Sequence, residues 1–495
     1  MKNQRVFIIV LAVAGCTGDS AAPPRLPTAS SAAAATPAPA SISVQNAPPL
    51  GGPRHVPLEL TLATHFSSGN WLSPEGLALD PAGNIVLCGS LKGDMKWGET
   101  SLATRIPSGE GPRHAFVGKL DPRGVPLWAK IATVSNLIDH GAPAVAVGKD
   151  GAVVFTAEFD VKTSIDDKNL AALNPAEGYA NVLVASLNGQ GALHFARGFG
   201  GINDNDTPAG VAVNAEGEVV VVGDFSTSTR FDNIVLTPKP HESTMFVAKL
   251  DRDGKVLWAN GFGGKSRVVT KTVAIDSTGN IHVGGEFDGT LTTGAATLEA
   301  SSYRTGFLLA LAPNGTTLWA RAFGGPERSS VRAVAAANGT LAVAVEFRPP
   351  LMTPLPLAAA NGNNIAIFKL DPQGQAVWVR PFGGPNTEVG TVAVAPDGMI
   401  AFCGSSRVSF DFAGMAVENR SGSGAFVAAF STEGVPLGAR GFGGTGIAEC
   451  TGLAIRPSGA IVATGFYSGT IDLGSVRLST SGSAHRDTFL VELQP

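Results

Sequence analysis

From residue 57 onward the chain alternates short apolar runs with polar punctuation, and the alternation repeats. A unit opens on a run such as "VAVNAEG" at Val211, "VAIDSTG" at Val273, "VAVAPDG" at Val392 or "LAIRPSG" at Leu453, each closed by a turn ending in glycine. A second run follows: "EVVVVGDF", "NIHVGGEF", "MIAFCGSS", "AIVATGFY". After a variable stretch comes a third: "FVGKLD" at Phe116, "FVAKLD" at Phe246, "FLLALA", "IAIFKLD", "FVAAFS", "FLVELQ". A turn such as "DRDG" or "DPQG" leads to a fourth: "LWANGFGG" from Leu257, "LWARAFGG" from Leu318, "VWVRPFGG" from Val377. Runs this short, bounded by Asp, Asn, Pro and Gly, predict strands rather than helices.

The aromatic before the double glycine falls at Phe199, Phe262, Phe323, Phe382 and Phe442, about 60 residues apart. An earlier copy, "LWAKIA" from Leu127, has Ala132 in its place. Four antiparallel strands repeated in series predict the blades of a β-propeller. Gly76, Ala144, Gly210, Thr272, Ala333, Thr391 and Gly452 occupy equivalent first-strand positions, one per blade. The last copy stops at "FLVELQP", with three strands and no fourth phrase. "PLELTLATHF", from Pro57 to Phe66, precedes the first unit with nothing to pair with, and Phe66 can serve as its aromatic. The expectation is an all-β, seven-bladed propeller over residues 57–495 whose N-terminal strand completes the last blade and removes the open edges. Trp258, Trp319 and Trp378 are expected to pack between blades on the outermost strand. The double glycines are expected to let the chain leave the rim for the next inner strand.

Composition narrows the class. The chain has 495 residues with 44% hydrophobic and 15% charged, and a formal net charge of -4. Nucleic acid is not an expected partner, since no basic stripe is present. The N-terminus, "MKNQRVFIIVLAVAGC", places Lys2 and Arg5 before an apolar run too short to span a membrane, the layout of a secretory signal peptide. Its end, "VAGC", resembles the bacterial lipobox. That resemblance implies residues 1–16 as a lipoprotein signal with Cys16 carrying the lipid, and Thr17 after it points to the outer membrane. Residues 17–56 are Ala, Pro and Ser with almost no large apolar side chain. Such a segment cannot offset its ordering entropy and reads as a disordered tether.

The stretch "FVAKLDRDGKVLWANGFGG" (Phe246–Gly264) resembles the repeat of the SBBP-type β-propeller family of bacterial secreted and envelope proteins, and the resemblance extends over 57–495. It implies a fold and an envelope setting but no single activity. The "DG..LW" element also looks like quinoprotein propellers, whose cofactor site the sequence does not show.

Catalytic motifs are absent: there is no HExxH, CxxC or Walker sequence. "GFGGTG" at 441–446 matches GxGxxG literally but lies between strands with no helix to follow, and "SGSG" at Ser421 lacks a nucleophile elbow. His140, His282 and His485 fall in different blades and read as structural. The Asp-x-x-Gly turns lack the ligand alternation of a calcium loop, and each Asp is expected to cap its own turn. "NDNDT" at Asn203, with Asp204 and Asp206, is the one weak calcium candidate, and no cofactor is otherwise expected. Cys88, Cys403 and Cys450 are expected chiefly as buried free thiols, with a bond from Cys450 to Cys403 or Cys88 as the alternative.

One constellation stands out. An acid precedes an aromatic at the end of the second strand in blades 2 to 5: Glu158, Asp224, Glu286 and Glu346. Ser405, Phe466 and Ser90 take that place in blades 6, 7 and 1, and Lys271 and Arg332 sit at matching inner-strand positions. The acids are expected either to bond neighbouring blades and these cations or to form an acidic arc for a cation or basic partner. Trp97, in the long connection of blade 1, is either a recognition aromatic or packed onto the blade. The functional expectation is a monomeric, non-catalytic binding or scaffold module for an envelope protein or glycan. Its alternative is a propeller hydrolase or lyase acting on glycans or lactones, which needs converging carboxylates or a metal.

Overall fold

The computed structural model describes residues 57–495 apart from 69, 103–112, 135–141, 172–178, 202–204, 239–241, 295, 353–355, 358–361, 363, 420–421, 475 and 481–484. Strands account for all the regular structure there. They form seven antiparallel blades arranged in a ring, as the repeat predicts.

Blade 4 shows the plan: inner strand Val268–Ile275, second strand Ile281–Phe287, third strand Thr305–Leu311, outer strand Thr317–Phe323. Each inner strand touches the inner strands of both neighbouring blades, which closes a central channel. In blade 7 the order is Ala448–Ile455, Ile461–Tyr467, Asp487–Gln494 and then Glu59–Phe66. The first strand of the domain is therefore the outer strand of the last blade. Arg456 secures this closure: Nη1 and Nη2 donate to the Gly83 and Pro122 carbonyls of blade 1, and Nε donates to Glu492 at 2.7 Å.

The core is not one mass. It divides into seven apolar layers, one at each junction between consecutive blades. Second and third strands lie between two such layers, so both of their faces are covered. This is why they read as unbroken apolar runs instead of alternating patterns.

The repeated phrase has a stated job for nearly every letter. The indole N–H of Trp128, Trp258, Trp319 and Trp378 donates to the Gly189, Pro313, Pro372 and Thr432 carbonyls, each in a turn of the following blade. The ring also lies beneath that turn's glycine. A Cβ added to Gly191 would stand 2.7 Å from Trp128, and one on Gly374 2.8 Å from Trp319. Both glycines have positive φ as well, so no other residue suits the position. Two residues past the aromatic, Arg197, Asn260 and Arg380 donate to the Gly254, Gly315 and Gly434 carbonyls of the next blade. The sixth copy, "LGARGFGG", has Gly438 where the others have Trp or Phe. Blade 7 takes its third and outer strands from opposite ends of the domain, so it has no turn there for an aromatic to support. The Asp of each turn accepts its own loop's amides, as expected: Asp251 Oδ1 from the Asp253 and Lys255 N–H groups, Asp371 Oδ1 from those of Gln373 and Gln375.

The double glycine corrects the expectation. Between second and third strands every blade carries a small hairpin, such as Thr290–Thr292 with Thr297–Glu299. These hairpins turn back onto the preceding blade. Gly263 pairs with Thr292, Gly443 with Asp472, Gly200 with Arg230 and Gly324 with Met352. The second glycine of the pair then lies directly under hairpin backbone: a Cβ on Gly264, Gly201 or Gly444 would overlap the Thr290, Ser228 or Thr470 carbonyl oxygen. These glycines are docking points for the next blade's hairpin.

Candidate functional site

Six of the seven inner strands, all but that of blade 2 among the described residues, contain a β-bulge at the same place. The register shifts between Pro74 and Gly76, Pro208 and Gly210, Thr270 and Thr272, Val331 and Ala333, Val389 and Thr391, and Cys450 and Gly452. The extra residue is Glu75, Ala209, Lys271, Arg332, Gly390 or Thr451. The bulges sit at the channel mouth, on the face from which the hairpins leave.

At the same level Glu286 is paired across the strands with Val269, Glu346 with Ser330 and Asp224 with Thr207. In blade 6 the pair is Glu388 with Ser405, and in blade 7 Glu449 with Phe466. The acid has crossed to the inner strand in these two blades. Blade 1 supplies Glu75 from its bulge, and Ser90 Oγ donates to it at 2.9 Å. Every blade thus contributes one acid, and the arc read over blades 2 to 5 extends around the ring. Glu75, Glu388 and Glu449 lie on inner strands, outside the second-strand pattern that reveals the other four acids. The signal that would have found them is the loss of the acid at Ser405 and Phe466, balanced across the strand pair.

The four predicted acids are engaged in different ways. Glu158 is fully buried. Asp224 accepts from Thr270 N–H at 2.9 Å and from Thr270 Oγ1 at 2.6 Å, on the next blade's inner strand. Burial outweighs these bonds and pushes its carboxyl up to about 7. Glu286 stands 3.6 Å from Arg304, and Glu346 3.2 Å from Arg332. Burial also raises Glu346 and Glu449 above the usual carboxylate range. Lys271 is brought to the same cleft as Arg332, and burial first, then Arg332, lowers its ammonium pKa.

Two chambers open at the mouth. One, of about 250 Å³, is lined by Lys271, Arg267, Arg304, Arg332, Glu286 and Glu346 among others. The other, of about 240 Å³, is lined by Glu75, Glu388, Glu449 and Arg332 with backbone of blades 6 and 7. They share Arg332 and Glu388. The mouth is cationic over blades 4 and 5 and anionic over blades 6, 7 and 1. On the anionic rim, Arg486 stacks on Trp71 at 3.9 Å and on Phe466 at 4.3 Å.

Trp97 does not present a recognition surface. It is 2% exposed, stacks on Phe66 with ring centroids 4.7 Å apart and donates from Nε1 to the Lys119 carbonyl. The reason is the hairpin: its inward residue falls into the junction with the preceding blade, as Phe231, Leu291 and Ile471 do in theirs. The free-thiol expectation is also corrected. Cys403 and Cys450 form a disulfide across the junction of blades 6 and 7, with Cα atoms 5.7 Å apart, while Cys88 is a buried free thiol. Asp206 is buried and its Oδ2 accepts from Gly201 N–H at 2.6 Å, inside the fold. Asn203 and Asp204 lie outside the described residues, as do Cys16, the 17–56 segment and His140. Among the described residues no group of three His, Cys, Asp or Glu side chains could hold a metal ion. His282 is buried, and its Nε2 lies 3.1 Å from Asp276.

No protein-family model matches the chain. In sequence it is similar to the regulatory protein FlaEY of Caulobacter vibrioides, 28% identical over 191 residues, which is 37% of this chain and 20% of that protein. The match therefore spans about a fifth of the relative's length. Among solved structures it is similar to a hydrazine synthase chain of Kuenenia stuttgartiensis (12% identical, 86% of this chain and 98% of that one, TM-score 0.43). It is also similar to a gluconolactonase from Xanthomonas campestris (11% identical, 89% and 98% covered, TM-score 0.33).

Proposed function

We propose that this protein is an exported lipoprotein of the SBBP-type repeat class, anchored through Cys16 to the outer membrane and holding its propeller on the 17–56 tether as a non-catalytic binding module. The partner is an envelope protein or glycan, and it binds over the channel mouth. One observation carries this reading: the mouth holds charges of both signs in two joined chambers on a rigid ring. Lasting charge complementarity of that kind gives partner selectivity and faster encounter. The Cys403–Cys450 bond supports export, because disulfides persist in oxidising compartments. The carboxylates at the mouth are distributed one to a blade, and Glu286, Glu346, Asp224 and Glu75 are each bonded to a neighbour. That arrangement favours binding over the hydrolase or lyase alternative, which requires carboxylates converging on one point.

The test is affinity capture from envelope extract with the full chain and with a Lys271→Met/Glu388→Gln variant. A partner retained by the first and lost by the second is expected. Equal capture by both would move the partner off the mouth, and no capture by either would remove the module reading. Anchoring is checked separately: labelled palmitate should mark the wild type and not Cys16→Ala, which should move to the soluble fraction.

A further inference from the structure

Charged side chains in a folded protein normally find partners, and a partly buried charge without one is unfavourable. At the channel mouth two such half-buried groups, Lys271 and Glu449, stand without a hydrogen bond or ion pair among the described residues, and the exposed Glu388 beside them has none either. Lys271 lies in the bulge of blade 4, and its surroundings act on it only at longer range, from Arg332, Glu286, Asp224 and Arg267. Glu388 and Glu449 lie on the inner strands of blades 6 and 7, and Glu449 feels Glu388, Arg486 and Arg407 in the same indirect way. The closed Arg332–Glu346 pair of blade 5 stands between them. Lys271 therefore faces one chamber and Glu449 the other, and Glu388 stands where the two meet.

We infer that the mouth binds a short zwitterion bearing a free carboxylate and a free primary amine, such as a peptide with both termini unblocked, its carboxylate on Lys271 and its ammonium between Glu388 and Glu449. The inference rests on the mouth being the binding site and names what it takes. A ligand of either sign alone would leave one set of charges unanswered. Arg267, exposed on the rim beside Lys271, adds a second donor for the carboxylate. The guanidinium of Arg332 faces both chambers and sets the dividing line. Together the chambers reach the lower part of the range of roughly 300–1,000 Å³ typical of small-ligand sites, which fits a di- or tripeptide better than a long polymer.

The test is calorimetric titration of the full chain with triglycine, N-acetyl-triglycine and triglycine amide. Free triglycine should bind, and blocking either end should weaken binding about tenfold or more, the loss of one charge-assisted contact. In Lys271→Met the acid and the amide should bind alike, while acetylation keeps its effect. In a Glu388→Gln/Glu449→Gln variant the pattern should reverse. Melting curves of each variant matching wild type show that the loss is local. Blocked peptides binding as well as the free one would overturn the inference, as would variants that leave the dependence on the termini unchanged. The capture experiment above separates the two readings. If mouth-dependent capture persists while triglycine fails to bind, only the zwitterion falls. If triglycine binds while nothing is captured, the macromolecular partner falls and the small-ligand site stands.

Discussion

Asp224 shows how one side chain ties the mouth to solution conditions. Its carboxyl is held near 7 because burial outweighs the two bonds from Thr270. A carboxyl whose pKa is higher folded than unfolded favours the folded state while protonated. Its contribution is full below about pH 4 and disappears as pH climbs through about 7. Wild type should therefore lose up to about 4 kcal/mol relative to Asp224→Asn across that window, read by chemical denaturation at stepped pH. A curve for the variant parallel to wild type would rule this out. Gly264 makes a sharper steric case, because a methyl group there meets the Thr290 carbonyl oxygen. Gly264→Ala should destabilise by about 1–3 kcal/mol, the usual range for forcing atoms into a packed site. Gly217→Ala is a poor control, since that glycine has positive φ; Ser266→Gly, which relieves a positive φ, should be neutral or stabilising.

At the scale of the element, the unit of stability is the junction between two blades, and the aromatic of the outer strand is its anchor. Trp378 is 3% exposed, packs against Phe430 and donates to the Thr432 carbonyl. Trp378→Ala should cost about 3–5 kcal/mol by thermal or denaturant unfolding. Trp378→Phe, which keeps most of the contact area and loses the N–H, should cost much less. The same junctions explain what could be read in advance. Strand order, blade count and closure were all legible, since each copy repeats the same apolar run, turn and aromatic. The hairpins are not: their two- to four-residue strands are too brief to show a period, and they dock on the preceding blade's outer strand, about 30 residues back in sequence. Trp97 looked free for that reason. The acids of blades 6 and 7 were missed because a register pair joins positions that no linear pattern places side by side.

For the whole molecule the ring is only as strong as its seam. Blades 6 and 7 are joined by the Cys403–Cys450 bond, and blade 7 is joined to blade 1 by Arg456 and by Thr451 Oγ1 donating to the Pro74 carbonyl. Reduction should lower stability by about 2–4 kcal/mol, seen as a fall in Tm with dithiothreitol that Cys403→Ala/Cys450→Ala does not show. Arg456→Ala breaks three contacts at once and should cost about 2 kcal/mol or more, since it strands the Glu492 carboxylate. Labelling of Cys88 should require unfolding, as the thiol is wholly enclosed and its pKa is raised by that burial.

The seam also sets a clock on synthesis. Thr61 bonds to Glu492 across a separation of 431 residues, so the first strand of the propeller waits for the third strand of its last blade. Until then both free borders of the growing sheet series stay exposed, and a chain cut short anywhere along its length keeps them exposed. Closure of the ring waits for blade 7, which gives quality-control proteases a simple rule: only a propeller read through to its last strand can hide its borders.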